Sequence, residues 1–141
     1  MQQFVLDCSA TMSYFFKDET PKLVDAAFET LANSTRALVP SIWPLEIANT
    51  CLCAERRKRL TPDDTDVIYS ILAALPIQVD THTNVIATRE TVLIARKYKL
   101  TAYDAAYLEL ARRENLSLLS LDKKLKQSAA KAGIKLWAPA S

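Results

Sequence analysis

An α/β sandwich on a mainly parallel sheet of four to five strands is the fold this sequence predicts. Two observations carry the prediction. Short apolar runs alternate with longer amphipathic segments along the chain, and successive runs are far enough apart for helical crossovers. No linker, repeat or low-complexity stretch interrupts the 141 residues, so one domain over residues 1–141 is expected.

Phe4-Val5-Leu6 is an unbroken apolar run, suited to a strand buried on both faces. Ser9 to Phe16 reads as a short helix. Pro21 fits the first position of a longer one. In it Leu23, Val24, Ala27, Phe28 and Leu31 keep the three–four spacing of one buried face. Ala37-Leu38-Val39 is a second strand, bounded by Pro40. Pro44 opens a helix running to about Lys58. Thr61-Pro62-Asp63-Asp64 is a helix-start signal. Behind it Val67, Ile68, Ile71, Leu72 and Leu75 form an apolar stripe that Pro76 ends. Ile77 to Val79 is a third strand. Asn84 to Tyr98 is helical, with Val85, Ile86, Val92, Leu93 and Ala95 as core contacts. Thr101 starts a helix through Arg113. Leu116 to Leu121 is a fourth strand, and Asp122 to Ala132 a helix that Gly133 stops. Ile134 to Trp137 is a fifth strand.

Composition narrows the function classes. Half the residues are apolar and 24% are charged, which suits a packed globular chain and not a disordered one. The formal charge is only +2, so any nucleic-acid surface has to be local. Cys8, Cys51 and Cys53 are an odd set without CxxC spacing, read as buried hydrophobes in a reducing cytoplasm. His82 is the only histidine and reads as a loop residue, which argues against serine–histidine and cysteine–histidine mechanisms. Gly133 is the only glycine, too few for a glycine-rich phosphate cradle. The first apolar run ends at Asp7, so no signal peptide is expected, and no apolar stretch is long enough to span a membrane.

Function in open parallel sheets collects at the carboxyl ends of the strands. Asp7 follows the first strand and Asp122 the fourth. Glu46 and Asp104 fall in the first turns of predicted helices. Each has a structural reading. Asp122 suits an N-cap, and Glu46 sits where acids favour the helix dipole. Thr101-Ala102-Tyr103-Asp104 matches a capping box. Asp7 is harder to explain so: it follows a buried strand with no Lys or Arg within nine residues. Gathered at one sheet edge, four carboxylates would repel one another, and a divalent cation would relieve that conflict. Oxygen-only ligands suit Mg²⁺ or Mn²⁺. Asp80, closing the third strand, is a possible fifth acid, better read as an N-cap.

The tracts FVLDCSATMSYFFKDE, PSIWPLEIANTC and KLTAYDAAYLELARRENLSLLSLDKKLKQSAAKAGIKL resemble PIN-domain ribonucleases of the VapC toxin type, with TAYDAAYLELA and LLSLDKKL the most specific parts. The resemblance runs from Gln3 to Trp137. It implies a PIN-like three-layer α/β/α sandwich. It implies a metal site of Asp7, Glu46, Asp104 and Asp122, with Ser9 as a supporting hydroxyl. It also implies Mg²⁺- or Mn²⁺-dependent cleavage of RNA, such as a tRNA or rRNA loop, by a metal-activated water. The implied partners are an antitoxin protein that occludes the site and a second copy of the chain. Cys8 stands where such sequences often carry a small residue; in a strand its side chain would point away from Asp7.

RNA binding needs positive charge around the acids. Lys123, Lys124 and Lys126 stand beside Asp122. Arg56, Arg57, Lys58 and Arg59 form a second cluster, equally well read as a solvated helix face. Tyr14, Tyr103 and Tyr107 could stack on unpaired bases, although packing suits Tyr107 better. Trp43 and Trp137 read as core or interface residues. The competing functions are a catalytically inactive PIN-like module that binds RNA or protein, a DNA-directed nuclease, and an aspartyl-nucleophile phosphohydrolase. The last generally carries Asp-x-Asp, where this chain has Asp7-Cys8-Ser9.

Overall fold

Phe4, Val5 and Leu6 are all almost fully buried although successive strand residues face opposite ways. Both faces of their strand are therefore covered, as in a parallel sheet between helices. The computed structural model describes residues 2–16, 18 and 20–140. Strand β1 (Gln2–Leu6) pairs in parallel with β2 (Thr35–Val39), from Gln2 opposite Thr35 to Val5 opposite Leu38. β2 pairs with β3 (Ile77–Val79), and β1 pairs on its other side with β4 (Leu118–Leu119). The order is β3-β2-β1-β4, all parallel. Every strand therefore ends at one edge of the sheet. The chain steps outward through β1, β2 and β3, then returns to the far side of β1. This reversal opens a crevice at the carboxyl ends of β1 and β4, where such sheets place their ligands.

Among the described residues the α-helices are α1 (Cys8–Phe15), α2 (Lys22–Asn33), α3 (Trp43–Arg56), α4 (Pro62–Ala74), α5 (Thr83–Ile86), α6 (Val92–Tyr98), α7 (Ala102–Glu114) and α8 (Lys123–Lys131). The central helix is α7, in which seven consecutive residues from Ala105 to Ala111 are buried. It packs on β1 and β4 and is flanked by α6 and α8. Helix α2 packs against β2, and α1 against α2 and α3. Trp43 and Trp137 are core residues: the Trp43 indole donates to Thr11, and Trp137 lies 5.5 Å from the Phe4 ring.

Several expectations change. The fifth strand reduces to a single parallel bridge between Leu118 and Leu136. The fourth shrinks to Leu118–Leu119, because Ser120 turns out of the ladder to bond Asp7. Pro21 is the N-cap of α2 and not its first residue. Cys8 opens α1 instead of extending β1, and its sulfur lies 3.5 Å from the Thr50 hydroxyl. The Asn84–Tyr98 helix is interrupted by a π-helical turn (Ala87–Thr91). That wider turn shifts the helix phase, so Thr91 and Ile94 face the core while Leu93 is exposed; Val85, ahead of the turn, is exposed as well. Of the α4 stripe, Ile68 and Leu72 are buried and Val67 is exposed.

Candidate active site at the carboxyl edge of the sheet

Asp7 leaves β1 and caps α1. Its Oδ1 accepts from the Ala10 N–H at 2.9 Å, and the Ser9 hydroxyl reaches Oδ1 and Oδ2 at 2.8 and 2.9 Å. Ser120, at the end of β4, donates to Oδ2. These donors supply what a carboxylate 4% exposed, with no cation beside it among the described residues, needs. Burial still pushes the Asp7 pKa up; the three donors oppose it, and the Asp122 charge adds to it.

The other three acids share this field. Burial raises the Glu46 carboxyl, and the charges of Asp104 and Asp7 raise it further, against a hydrogen bond from the Tyr107 hydroxyl at 2.5 Å. Burial also raises Asp104, as does the charge of Asp122, while Lys124 pulls it down. Each acid therefore feels at least one of the others. Among the described residues, the cation that acts on this group is Lys124, and it acts on Asp104. Asp122 is the N-cap of α8, with Oδ1 accepting from the Leu125 N–H, as its structural reading expected.

Two Thr-x-x-Asp starts show which acid is committed elsewhere. In α4 the capping box closes: Thr61 accepts from the Asp64 N–H and Asp64 accepts from the Thr61 N–H. In α7 only the first half forms, Asp104 N–H to Thr101. The Asp104 carboxylate is thus left out of the cap and lies among the other acids. Asp80 is excluded from that group. It bonds the His82 N–H and the Thr83 hydroxyl and meets Arg113 at 2.7 Å. Burial would raise its pKa, but those bonds outweigh burial and hold it low.

The oxygen-only donor set, its shared charge and, among the described residues, the lack of a paired guanidinium fit a hard divalent ion. Among the described residues no three His, Cys, Asp or Glu side chains are already grouped as a metal-holding set. The four acids are in one another's field without being closed into a cage.

A family model for the PIN domain matches residues 4–131. The chain is a member of the PIN-domain family. Its fold resembles PAE2754 from Pyrobaculum aerophilum, with TM-score 0.68 and 18% identity over 90% of this chain and 79% of that one. It also resembles VapBC2 from Rickettsia felis, solved bound to a DNA fragment from its promoter, with TM-score 0.66 and 15% identity over 96% and 98% of the chains. For FitAcB from Neisseria gonorrhoeae the TM-score is 0.59, at 17% identity over 96% and 97%. No curated protein matches the chain by sequence. Among the described residues, no helix of this PIN domain is long and apolar enough to cross a membrane.

Ser120 and the bond from Tyr107 to Glu46 escaped the sequence reading, whereas Ser9 stands in the supporting place expected of it. Ser120 links Asp7 to the Asp122 N–H, which donates to the same hydroxyl at 3.0 Å. Ser9 has a matching role, bonding Asp7 and accepting from the Leu121 N–H. Tyr107 is 1% exposed and holds Glu46, so it cannot stack on a base; its burial also pushes its own pKa up. Burial pushes the Cys8 thiol up to about 12, which makes it inert. Lys123 and Lys124 are exposed beside Asp122. Arg56 ends α3, ten residues or roughly 15 Å along the helix from Glu46. Arg59 lies over the Phe16 ring at 4.2 Å.

Removing the Tyr107 hydroxyl gives a direct test of this arrangement. In Tyr107→Phe the Glu46 carboxylate loses a donor that favours its charged form, so its pKa rises further. If the acids hold a divalent ion, Mn²⁺ should bind about 10- to 100-fold more weakly, the usual cost of losing a bond to a ligand. The acid limb of the pH profile for that binding should move to higher pH. An unchanged metal titration and profile would show that Glu46 takes no part.

Proposed function

We propose that this PIN domain is a metal-dependent endoribonuclease and the toxin of a type II toxin–antitoxin pair. The observation that supports the reading is the grouping of four acids near the sheet's switch point, where Asp7, Glu46 and Asp104 each feel another acid of the set and, among the described residues, none of the three meets a guanidinium. Asp80 and Glu109, by contrast, are both paired with Arg113. The sequence tracts around the acids support the toxin class, as does the likeness of fold to VapBC2 and FitAcB. The partners in this reading are an RNA, an antitoxin that covers the acids, and a second copy of the chain.

Asp7 and Asp104 would hold a Mg²⁺ or Mn²⁺ ion, with Glu46 and Asp122 completing the pocket. Such an ion, when bound, lowers the pKa of water and stabilises charge on a phosphate. The chain supplies the rest. Ser9, Ser120 and the Ala10 N–H fix the Asp7 carboxylate, and Tyr107 fixes Glu46. Lys123 and Lys124 offer positive charge to the phosphates beside the acids.

The purified protein should cut a structured RNA in Mn²⁺ and stop on addition of a chelator. Asp104→Asn should lose cleavage by at least ~100-fold with an unchanged circular dichroism spectrum, because only the Asp104 backbone serves the helix cap. Full activity with chelator present, or in the Asp104→Asn protein, would refute the reading.

A further inference from the structure

Three tyrosines were candidates for stacking on a base, and two are occupied. Tyr14 lies flat against Phe28, with ring centroids 4.0 Å apart and planes 3° apart. Tyr107 is buried and bonded to Glu46. Tyr103 is 59% exposed. It precedes Asp104 directly and stands one turn before Tyr107 on the same face of α7, about 6 Å along the axis. The Tyr107–Glu46 bond fixes which way that face looks: toward the first turn of α3. There Leu45, beside Glu46, is 68% exposed. Lys124 acts on Asp104 from α8. An exposed ring, an exposed aliphatic side chain and a cation thus border the acids.

Isolated exposed apolar residues are ordinary on protein surfaces. This ring differs by its place, next to Asp104 and one turn from Tyr107, which is fixed by its bond to Glu46. From it we infer that Tyr103 is a stacking platform for one unpaired nucleobase next to the phosphate being cut. The inference rests on the RNA-cleaving reading and adds to it the residue that would hold one unpaired base of the looped RNA the resemblance implies. In a duplex the bases are stacked on one another and present no free face to a side chain. Lys124 would take the neighbouring phosphate, so base and backbone are gripped from two helices. A partner protein's side chain seated on Tyr103 is the competing occupant.

The test uses the whole chain with Ca²⁺ in place of Mn²⁺ and fluorescence anisotropy of a labelled unstructured 12-nucleotide RNA. Tyr103→Ala should weaken binding about 5- to 150-fold, the range for losing one base–aromatic stack. Tyr103→Phe, which keeps the ring face, should bind like the wild type. In a series of probes with one abasic position each, one probe should bind the wild type as weakly as the intact probe binds Tyr103→Ala. That probe should lose nothing further in the variant. A duplex of the same sequence should bind both proteins alike. Wild-type affinity in Tyr103→Ala, with RNA still bound and cut by the wild type, would overturn the stacking role and leave the nuclease reading standing. The same holds if Tyr103→Ala loses only binding to a protein partner. A wild-type protein that neither binds nor cuts any RNA would overturn both.

Discussion

Asp7→Asn should abolish RNA cleavage and at the same time make the metal-free protein more stable. The loss follows from the role proposed for the carboxylate. A ligand that holds a divalent ion against a phosphate contributes several kcal/mol to the transition state, so cleavage should fall by ~10³-fold or more. The gain follows from where the carboxylate sits. Asp7 is buried, feels Asp122, and its pKa is raised mainly by desolvation. Asparagine is nearly isosteric and a good N-cap, so it can keep the Ala10 N–H bond. It also removes a charge the fold accommodates at a cost. A gain of about 0.5–2 kcal/mol is typical of relieving such a functional compromise. A less stable Asp7→Asn protein, or one that still cuts RNA, would contradict the account.

The pH dependence has a definite sign. Asp7, Glu46 and Asp104 hold protons in the folded state that the unfolded chain gives up near 3.8 for the aspartates and 4.5 for the glutamate. From those values upward the native state binds more protons than the unfolded one. The contribution of these groups to stability therefore falls as pH rises toward their raised folded pKa values. Mn²⁺ should act oppositely: it needs the deprotonated ligands, so its increment in Tm should grow with pH over the same window. Thermal melts of the wild type with and without Mn²⁺, at several pH values, would show both trends. In Asp7→Asn the Mn²⁺ increment should be small at every pH.

Asp7 could be singled out from sequence because an acid after Phe4-Val5-Leu6, with no nearby Lys or Arg, has no local explanation. Its actual partner set could not be. Ser120 lies 113 residues away, inside a run of leucines that reads as more strand. Only the parallel β1–β4 pairing, which sets Leu6 beside Leu119, brings its hydroxyl to Asp7. The two Thr-x-x-Asp sequences were likewise indistinguishable, since closure of the second half of a capping box depends on what else attracts the carboxylate. Periodicity located the helices but not always their buried faces. It reports which side chains share a side, and a π-helical turn between α5 and α6 moved that side without leaving a mark in the residue pattern.

Arg113→Ala should be the most destabilising single substitution outside the apolar core, because two buried carboxylates depend on it. Asp80 and Glu109 are 7% and 5% exposed. Arg113 meets Asp80 at 2.7 and 3.2 Å and Glu109 at 2.8 and 3.0 Å, a two-sided fork that ties the end of α7 to the end of β3. Removing one partner of a buried pair costs about 3–5 kcal/mol, since the remaining charge stays desolvated. For a chain of this size that corresponds to a Tm lower by roughly 6–20 °C. Replacing all three by neutral isosteres, Arg113→Met with Asp80→Asn and Glu109→Gln, should recover most of the loss. The pH trend is the reverse of that at the acid cluster. The folded pKa of Asp80 is depressed, because the bonds from Arg113 and Thr83 outweigh burial. Its stabilising contribution is present above about 3.8 and disappears as pH falls through the depressed value. In Arg113→Ala that acid-side loss should shrink along with the stability at neutral pH. A variant that melts within a degree or two of the wild type would mean that water reaches both carboxylates freely, and the contrast between guanidinium-paired acids and unpaired ones at this sheet edge would no longer separate structure from chemistry.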